Sequence, residues 1–424
     1  MFRLRLALCL AALASLGISH AADLSPLAPP PRWETLNRYQ NTITHDDFVR
    51  LLTTVYASRG YGDLIQIDDH SARIVKDREA RTFFILRFAH RDGAKRPPRY
   101  WRRIAHLAPA PAARPLEHLR VALDPGHIGG QFAKMEERWY QVNGSAPVEE
   151  GEMTLAVAKI LAQRLKELGA EVSFVRSENA PVTPKRPDAF REVALEVLRK
   201  AGVADPPPTY SGPADPAKEQ SVQWQTELLF YRQSEIRERA LKVNKTLRPD
   251  LVLCLHFNAE AWGDPNAPTL LDKNHFHVLV NGSYLPDEIA VDDQRFEMLQ
   301  KLLSRAYDEE LPLADEMAAV FARETALPPY EYTKDTVAKV GTSGYVYARN
   351  LLATRTFNCP VVYFEPYVMN SHDVFARVQA GDYEGVRDVN GIQRPNIFRE
   401  YAKGVADGLE EFCRAHRKIT ASKL

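Results

Sequence analysis

Short apolar runs that alternate with amphipathic helical stretches constrain the fold of this chain more than any other feature. Four runs have the length and β-branched content of buried strands: RVAL from Arg120, LVLCLHF from Leu251, HFHVLV from His275 and CPVVYF from Cys359. Between them, apolar residues recur at helical spacing, as in the stripe from Met153 to Leu168. This alternation predicts an α/β fold with a central, largely parallel sheet and helices on both faces.

A small α+β domain is predicted ahead of that layer fold. Thr44 and Asp47 have the spacing of a helix cap, and extended runs follow at 64–74 and 82–89. The segment LAPAPAARP from Leu107 is typical of a semi-rigid linker. We therefore divide the chain into an N-terminal domain with its linker at 22–115 and a larger domain at 116–424. The first of these shows no catalytic constellation.

The first 21 residues have the pattern of a secretory signal peptide. Arg3 and Arg5 precede an apolar run that ends near Gly17, and Ser19-His20-Ala21 offers a small-x-small cleavage site. The run is too short to span a bilayer. The sequence thus predicts export to the periplasm or full secretion, with no transmembrane segment after signal cleavage.

Composition excludes several classes of protein. Hydrophobic residues make up 45% and charged residues 26%, which is ordinary for a globular protein and unlike a disordered or multi-span membrane chain. Lys+Arg and Asp+Glu each number 55, so there is no basic excess and we expect no nucleic-acid partner. No C-x-x-C spacing occurs, so a thiolate zinc knuckle is not predicted.

Metal-binding and proton-carrying groups stand at the ends of the predicted strands. His127 follows the first strand, His256 ends LVLCLH and Glu365 ends CPVVYFE, while Glu150 precedes the helix that contains Met153. Ligands of open α/β sheets gather at the carboxyl ends of the strands. Two imidazoles and one carboxylate with an open position are the usual ligands of a catalytic zinc, and a second carboxylate beside the metal would transfer protons.

The sequence around these residues resembles the zinc-dependent N-acetylmuramoyl-L-alanine amidases of the cell wall. The resemblance covers about 118–414, and its strongest pieces are DPGH from Asp124, LHFNA from Leu255 and the R-x-x-x-x-N pattern from Arg239. It implies a single α/β catalytic domain that cleaves the bond between the muramyl lactyl group and L-alanine in peptidoglycan. Carried onto this chain, it makes His127, Glu150 and His256 the zinc ligands and Glu365 the catalytic carboxylate.

The chain departs from the family pattern around the second ligand. The stretch between His127 and Glu150 is longer than usual, so Glu149 and Glu152 stay open as alternatives to Glu150. Segments near 178–216 and 284–310 look inserted. The second is acidic and could place a carboxylate on the open zinc position as a lid, which an activator protein would relieve. A solvated amphipathic helix is the alternative for that segment.

Several other residues of the larger domain have two possible roles each. His275 and His277 share one face of a strand, where they could form a second metal site or a polar wall that contacts substrate. Arg349 could meet an acidic substrate group or lie on the surface. Cys254 could approach the metal, or simply be a buried core residue. The chain has neither the G-x-S-x-G nor the H-E-x-x-H spacing, so a serine hydrolase and a zincin protease are not supported.

The expected function is zinc-dependent amide hydrolysis in peptidoglycan. Two alternatives remain at this point: a zinc peptidase that acts on wall peptides, and a non-catalytic peptidoglycan-binding protein on the same fold. The retention of Glu365 argues against the second alternative, because binding alone does not require a proton-transfer group.

Overall fold

The computed structural model describes residues 23–90, 94–333 and 336–420. The predicted signal peptide lies outside the described residues. Within them, no helix has both the length and the apolar character needed to cross a bilayer.

The N-terminal unit combines short helices with a three-stranded antiparallel sheet. A 3₁₀ helix at Trp33–Tyr39 precedes α1 (His45–Leu51), and the strands are β1 (Ile65–Ile67), β2 (Ser71–Asp77) and β3 (Thr82–Arg87), in the order β1-β2-β3. The extended run predicted at 64–74 is two strands, because Asp68 turns the chain. Its carboxylate accepts hydrogen bonds from the backbone N–H groups of His70 and Ser71, both at 2.8 Å.

The larger unit contains the remaining helices and strands. The strands are β4 (Ala110–Pro111), β5 (Arg120–Pro125), β6 (Trp139–Tyr140), β7 (Val148–Glu149), β8 (Glu171–Phe174), β9 (Leu251–Leu255), β10 (Phe276–Val280), β11 (Ala338–Val340), β12 (Val346–Ala348), β13 (Val361–Pro366), β14 (Val386–Val389), β15 (Ile392–Pro395) and β16 (Ile419–Thr420). The helices are α2 (Glu150–Glu167), α3 (Arg191–Lys200), α4 (Val222–Leu228), α5 (Glu235–Leu241), α6 (Pro286–Ala290), α7 (Asp292–Ser304), α8 (Tyr307–Thr325), α9 (Leu352–Thr356), α10 (His372–Gln379) and α11 (Ile397–His416).

A seven-stranded mixed sheet forms the centre of this unit. Its order is β11-β12-β10-β13-β9-β5-β8. The strands β13, β9, β5 and β8 pair in parallel, as do β10 and β12, whereas β10 pairs antiparallel with β13 and β11 pairs antiparallel with β12. The prediction of an α/β fold with a largely parallel sheet is confirmed.

Helices cover both faces of the sheet. Side chains that point to one face of the sheet, such as Val121 and Leu253, pack in the core that includes α2, α8 and α11. Side chains that point to the other face, such as Ala122 and Val252, pack against the helical segment that carries Ala240 and Val243. Both faces of the central strands are therefore apolar, as expected for parallel strands buried between helix layers.

Two helical segments depart from regular α geometry. The segment that includes α4 and α5 also contains π-helical turns at Leu229–Ser234 and Lys242–Leu247. The helix α8 continues through Pro312. Proline already has a helical φ and removes one backbone donor, a loss that the packed helix tolerates.

The N-terminal unit and the inserted segment near 284–310 pack against each other. Ser283 and Tyr284 donate backbone hydrogen bonds to the carbonyls of Val55 and Tyr56, both at 2.7 Å, and the buried Arg295 reaches the carbonyl of Val75 at 3.0 Å. The Ala- and Pro-rich segment at 107–115 is also held in place, because β4 within it pairs in parallel with β16. The two units share one continuous hydrophobic core.

Candidate metal centre and its cleft

Three side chains meet at the carboxyl edge of β5 and β9. His127 lies two residues beyond β5, His256 directly follows β9, and Glu150 is the first residue of α2. One ligand atom from each lies within 4.8 Å of the others. The adjacent strands β5 and β9 run parallel, so their ends bring the two imidazoles to the same edge of the sheet.

The atoms of the cluster are nitrogen and oxygen donors at short range, as in a zinc site. His127 Nε2 lies 3.1 Å from Glu150 Oε2, and His256 Nδ1 lies 3.0 Å from Glu150 Oε1. Ligand atoms about 2.0–2.1 Å from a tetrahedral zinc are roughly 3.3 Å apart. Two imidazoles and a buried carboxylate at these distances fit the nitrogen and oxygen ligands that zinc prefers.

Of the three neighbouring glutamates, Glu150 is the one whose carboxylate meets both imidazoles. It is 1% exposed. Glu149 instead accepts a hydrogen bond from the Gly130 backbone N–H at 2.9 Å, and Glu152 accepts one from the Asn179 amide at 3.1 Å on the exposed side of the helix. The geometry thus separates alternatives that spacing along the sequence left open.

The imidazole of His256 occupies a narrow space between Gly126 and Tyr363. It stacks on the Tyr363 ring with a centroid distance of 4.3 Å and an interplanar angle of 16°. A Cβ added to Gly126 would lie 2.2 Å from His256 Cε1. The glycine of the DPGH motif is therefore required by the close approach of this ring to the backbone.

Glu136 and Arg239 hold the ring and the backbone of His127 in place. The buried Glu136 carboxylate lies 3.6 Å from His127 Nδ1 and accepts the backbone N–H groups of Ile128 and Gly129 at 2.9 and 3.1 Å. Arg239 donates to the His127 carbonyl at 2.7 Å and to Asp124 at 2.9 Å. These contacts hold His127 in a left-handed conformation, with φ of 57°.

The charges of the cluster shift the pKa values of its members. Burial alone lowers the pKa of His127, but the carboxylates of Glu150 and Glu136 more than offset this and raise it to about 9. Burial raises the pKa of Glu150, yet the two histidines hold it well below its usual range. Burial lowers the pKa of His256. The cluster thus places an anionic carboxylate between two imidazoles, as a cation site requires.

Glu365 lines the same cleft, which has a volume of about 440 Å³, but stands apart from the cluster. It lies near the end of β13, two residues after Tyr363 and on the same face of the sheet. Burial and the negative charge of Glu150 raise the pKa of Glu365 to about 8. A carboxyl group with a pKa near neutrality can both accept and return a proton.

Glu136 and Arg138 were not predicted as site residues from the sequence. Arg138 Nε lies 3.1 Å from Glu150 Oε2, on the side chain that bridges the two histidines. Both residues lie in the unusually long stretch between His127 and Glu150, which offered no periodic pattern. A carboxylate and a guanidinium within one loop beside a predicted metal ligand were the only signal.

The cleft is also lined by His277 and Arg349. The Tyr332 hydroxyl lies 2.8 Å from His277 Nε2, and all three residues line the cleft together with Tyr330. His275 faces Glu260 at 3.5 Å instead and is not among the lining residues. His277 and Arg349 are thus placed where a substrate would contact them, whereas the only described group of three or more candidate metal ligands is the one at His127.

Cys254 packs in the core rather than at the metal cluster. It is fully buried, and its sulfur lies 3.9 Å from Asp124 Oδ2. Burial raises the pKa of its thiol well above the usual range, so the group stays protonated.

The acidic segment at 284–310 does not cover the cleft. Asp293 and Glu297 pair with Arg237 and Arg355, and none of the described residues that line the cleft belongs to this segment. The lid hypothesis is thus not supported. The segment is also not a solvated helix. Many residues of α7 are buried, and its Phe296 packs on Trp33 of the N-terminal unit. Arg237 and Arg355, both in the larger unit, neutralise its carboxylates.

The sequence matches no protein-family model, and no curated protein matches it. Similar solved structures include the N-acetylmuramyl-L-alanine amidase Ami1 from Mycobacterium smegmatis, at 15% identity and a TM-score of 0.36 over 71% of this chain and 99% of that one. The amidase AmiC2 of Nostoc punctiforme matches at 14% identity and a TM-score of 0.36 over 70% and 97%.

The CwlD amidase from Clostridioides difficile, solved in complex with the GerS lipoprotein, is similar at 11% identity and a TM-score of 0.36 over 70% of this chain and 98% of that one. These three proteins are amidases, like the family that the motifs of this chain resemble. At such TM-scores the similarity carries no argument about activity, so the functional argument rests on the residues of the cleft.

Proposed function

We propose that this protein hydrolyses the amide bond between N-acetylmuramic acid and L-alanine in peptidoglycan. The single observation that carries the proposal is the convergence of His127, Glu150 and His256 within 4.8 Å, with Glu365 on the wall of the same cleft. The first three residues would hold a zinc ion, and Glu365 would handle the protons. The DPGH and LHFNA motifs, which supply the two histidines, favour this amide bond.

The bound ion and Glu365 have separate tasks. When bound, zinc polarises a carbonyl oxygen and lowers the pKa of a coordinated water to about 7. Glu365 accepts the proton of the attacking water on its carboxylate. It then delivers that proton to the leaving nitrogen of L-alanine, because an amide nitrogen leaves poorly unless it is protonated.

The residues around the cluster keep these groups in place. Glu150 also accepts the backbone N–H of Phe257 at 3.1 Å, so both of its oxygens are fixed before any ligand binds. Tyr363 supports the His256 ring from below. Groups that are held in position beforehand do not need to reorganise during the reaction.

The proposal places the protein outside the cytoplasm, where its substrate lies, in the periplasm or in the medium. It includes no activator protein, because the segment that such a partner would displace lies away from the cleft. A test is a comparison of cellular fractions for the full-length chain, in which retention in the cytoplasm would contradict the export.

Digestion of purified peptidoglycan by the zinc-loaded protein tests the reaction. Mass spectrometry should find free stem peptides that begin with alanine, together with peptide-free glycan. Cleavage between amino acids would identify a peptidase instead, and binding without any product would identify a binding protein.

Glu365→Gln should keep its zinc and lose activity by about 10²–10⁴-fold, because it removes the proton carrier but no metal ligand. The matched control is Glu152→Gln, which changes an exposed carboxylate on α2 and should retain full activity. Normal turnover by Glu365→Gln would remove this residue from the reaction.

A further inference from the structure

A second cavity adjoins the metal cluster and is lined by aromatic rings. It has a volume of about 700 Å³, and Trp139, Trp262 and Tyr210 lie on its wall. Arg138 and Ala259 line both this cavity and the cleft of the metal cluster, so the two spaces are contiguous. We call this second cavity the aromatic pocket.

The walls of the aromatic pocket are tied together. The Trp262 ring packs against Tyr140 at a centroid distance of 5.2 Å, and the Tyr140 hydroxyl donates to the Met369 carbonyl at 2.6 Å. The backbone N–H of Gln141 donates to the Pro265 carbonyl at 2.9 Å. The loop that carries Trp262 is therefore joined to the strand that carries Trp139, which positions both indoles without a ligand.

Charged side chains of the aromatic pocket already have partners within the protein. Lys218 pairs with Glu137, and Glu227 accepts a hydrogen bond from the Tyr210 hydroxyl at 2.8 Å. Glu260 pairs with Lys273 at 3.1 Å. The ammonium of Lys134 lies 4.2 Å from the centroid of the Trp139 ring. A charged ligand would have to compete with these contacts, whereas a neutral ligand with hydroxyl groups and an apolar face would use them as they stand.

We propose that the aromatic pocket binds the neutral N-acetylhexosamine rings of the glycan strand, on the sugar side of the scissile amide. This inference rests on the proposed function. A pyranose ring presents C–H groups on its faces and hydroxyl groups around its edge, so it can pack on an indole while its edge meets polar side chains. The glycan carries no charge here, because the lactyl carboxyl is consumed in the amide bond.

The part of the cleft outside the aromatic pocket suits the peptide side of the substrate. His277, Tyr332 and the guanidinium of Arg349 line the cleft but not the aromatic pocket. A stem peptide carries free carboxylates beyond its L-alanine, and a guanidinium binds such groups well. The aromatic pocket and the rest of the cleft therefore differ in chemistry as the glycan and the peptide of the substrate do, which favours the glycan in the aromatic pocket.

Binding of a peptide-free sugar tests the pocket independently of catalysis. The probe is the neutral tetramer of N-acetylglucosamine, titrated against the zinc-loaded Glu365→Gln chain by calorimetry and tryptophan fluorescence. We expect saturable binding with a fluorescence change. Trp262→Ala in the same background should weaken the affinity about tenfold, as for a buried aromatic anchor, and Trp262→Phe should restore most of it.

Trp224→Ala is the matched control, because this half-buried tryptophan lines neither cavity and should leave the affinity unchanged. Circular dichroism establishes that each variant is folded. Equal affinity of the Glu365→Gln chain with and without Trp262→Ala, or no binding of the tetramer at millimolar concentration, would overturn the pocket assignment. So would binding of the free stem peptide that depends on Trp262.

Failure of this inference is distinguishable from failure of the proposed function. If the protein released peptides that begin with alanine but Trp262→Ala did not change its affinity for the tetramer, the pocket assignment would be wrong and the proposed activity correct. If the tetramer bound through Trp262 while peptidoglycan stayed intact, the pocket assignment would be correct and the proposed activity wrong.

Discussion

The carboxylate of Glu150 joins the two imidazoles of the metal cluster. One oxygen meets His256 Nδ1 and the Phe257 backbone N–H, and the other meets His127 Nε2 and Arg138 Nε. Its place as the first residue of α2 also puts it at the positive end of the helix dipole, which favours the charged form. A single side chain thus depends on four contacts from three separate parts of the chain.

Removal of one imidazole should abolish metal binding. His256→Ala leaves Glu150 and His127 as the remaining cluster ligands, which is too few for a stable zinc site. Elemental analysis after dialysis should find about one zinc per wild-type chain and almost none in the variant. His372→Ala is the control, because that histidine is exposed beside Asp272. An undiminished zinc content in His256→Ala would remove this residue from the ligand set.

Glu136→Gln should weaken zinc binding about 10–100-fold, because a carboxylate behind a ligating histidine fixes the ring and raises its basicity. Competition with a chromophoric chelator measures the affinity, and the visible spectrum of the cobalt-substituted protein reports the ligand geometry. Both should change, whereas Glu152→Gln should alter neither. An unchanged cobalt spectrum in Glu136→Gln would show that this carboxylate stabilises the loop after His127 and does not influence the metal site.

At the scale of elements, parallel strand ends and one helix start build the site. The backbone directly after β5 lies so close to the His256 ring that a side chain on Gly126 would overlap the ring. Arg239, in the helical segment before β9, secures the same stretch of backbone through the carbonyls of Pro125 and His127. The R-x-x-x-x-N pattern is therefore structural here: Asn244 bonds the carbonyl of Thr356 at 2.8 Å.

Gly126→Ala should displace His256 and lower the zinc affinity while the chain stays folded, since the new methyl group occupies the space of the imidazole. Zinc affinity and the thermal midpoint are measured together. Gly202→Ala is the control: that glycine lies in open space far from the cluster, so it should affect stability alone. Normal zinc affinity in Gly126→Ala would show that the ring can move aside at no cost.

At the scale of the whole molecule, Asp250 joins the N-terminal unit to the central sheet. Its buried carboxylate pairs with Arg102 at 2.6 Å and with Arg120, on β5, at 2.7 Å. Burial raises the pKa of Asp250, but hydrogen bonds from Arg120 and Arg102 more than offset this and hold it below the usual range. The charged form of Asp250 is therefore the one that favours the folded state.

Asp250→Asn should lower the free energy of unfolding by about 2 kcal/mol at pH 7, the usual size for hydrogen bonds to a charged group. The folded-state pKa is depressed, so the stabilisation is present above the ordinary value near 3.9 and is lost as the pH falls through the lower folded value. Urea unfolding from pH 7 to pH 3 should show the wild type approaching the variant. The exposed control Asp205→Asn should match the wild type throughout, and a pH-independent difference would contradict the charge argument.

The class of fold and the residues at the strand ends follow from local patterns in the amino-acid sequence. Runs such as LVLCL have the length and composition of buried strands, and a histidine that follows such a strand lies at the sheet edge. These are consequences of local periodicity, which a single segment encodes. They sufficed to predict His127, His256 and Glu365 at one edge of the sheet before any coordinates.

Long-range packing instead sets which glutamate meets the imidazoles, which carboxylate lies beside His127 Nδ1 and where the acidic segment lies. Glu149, Glu150 and Glu152 differ by one or two positions, and the helix start alone rotates one of them toward both rings. The partners of Glu297 and the neighbours of Trp262 come from remote parts of the chain. Contacts of that kind follow from how the elements pack together, which no local pattern records.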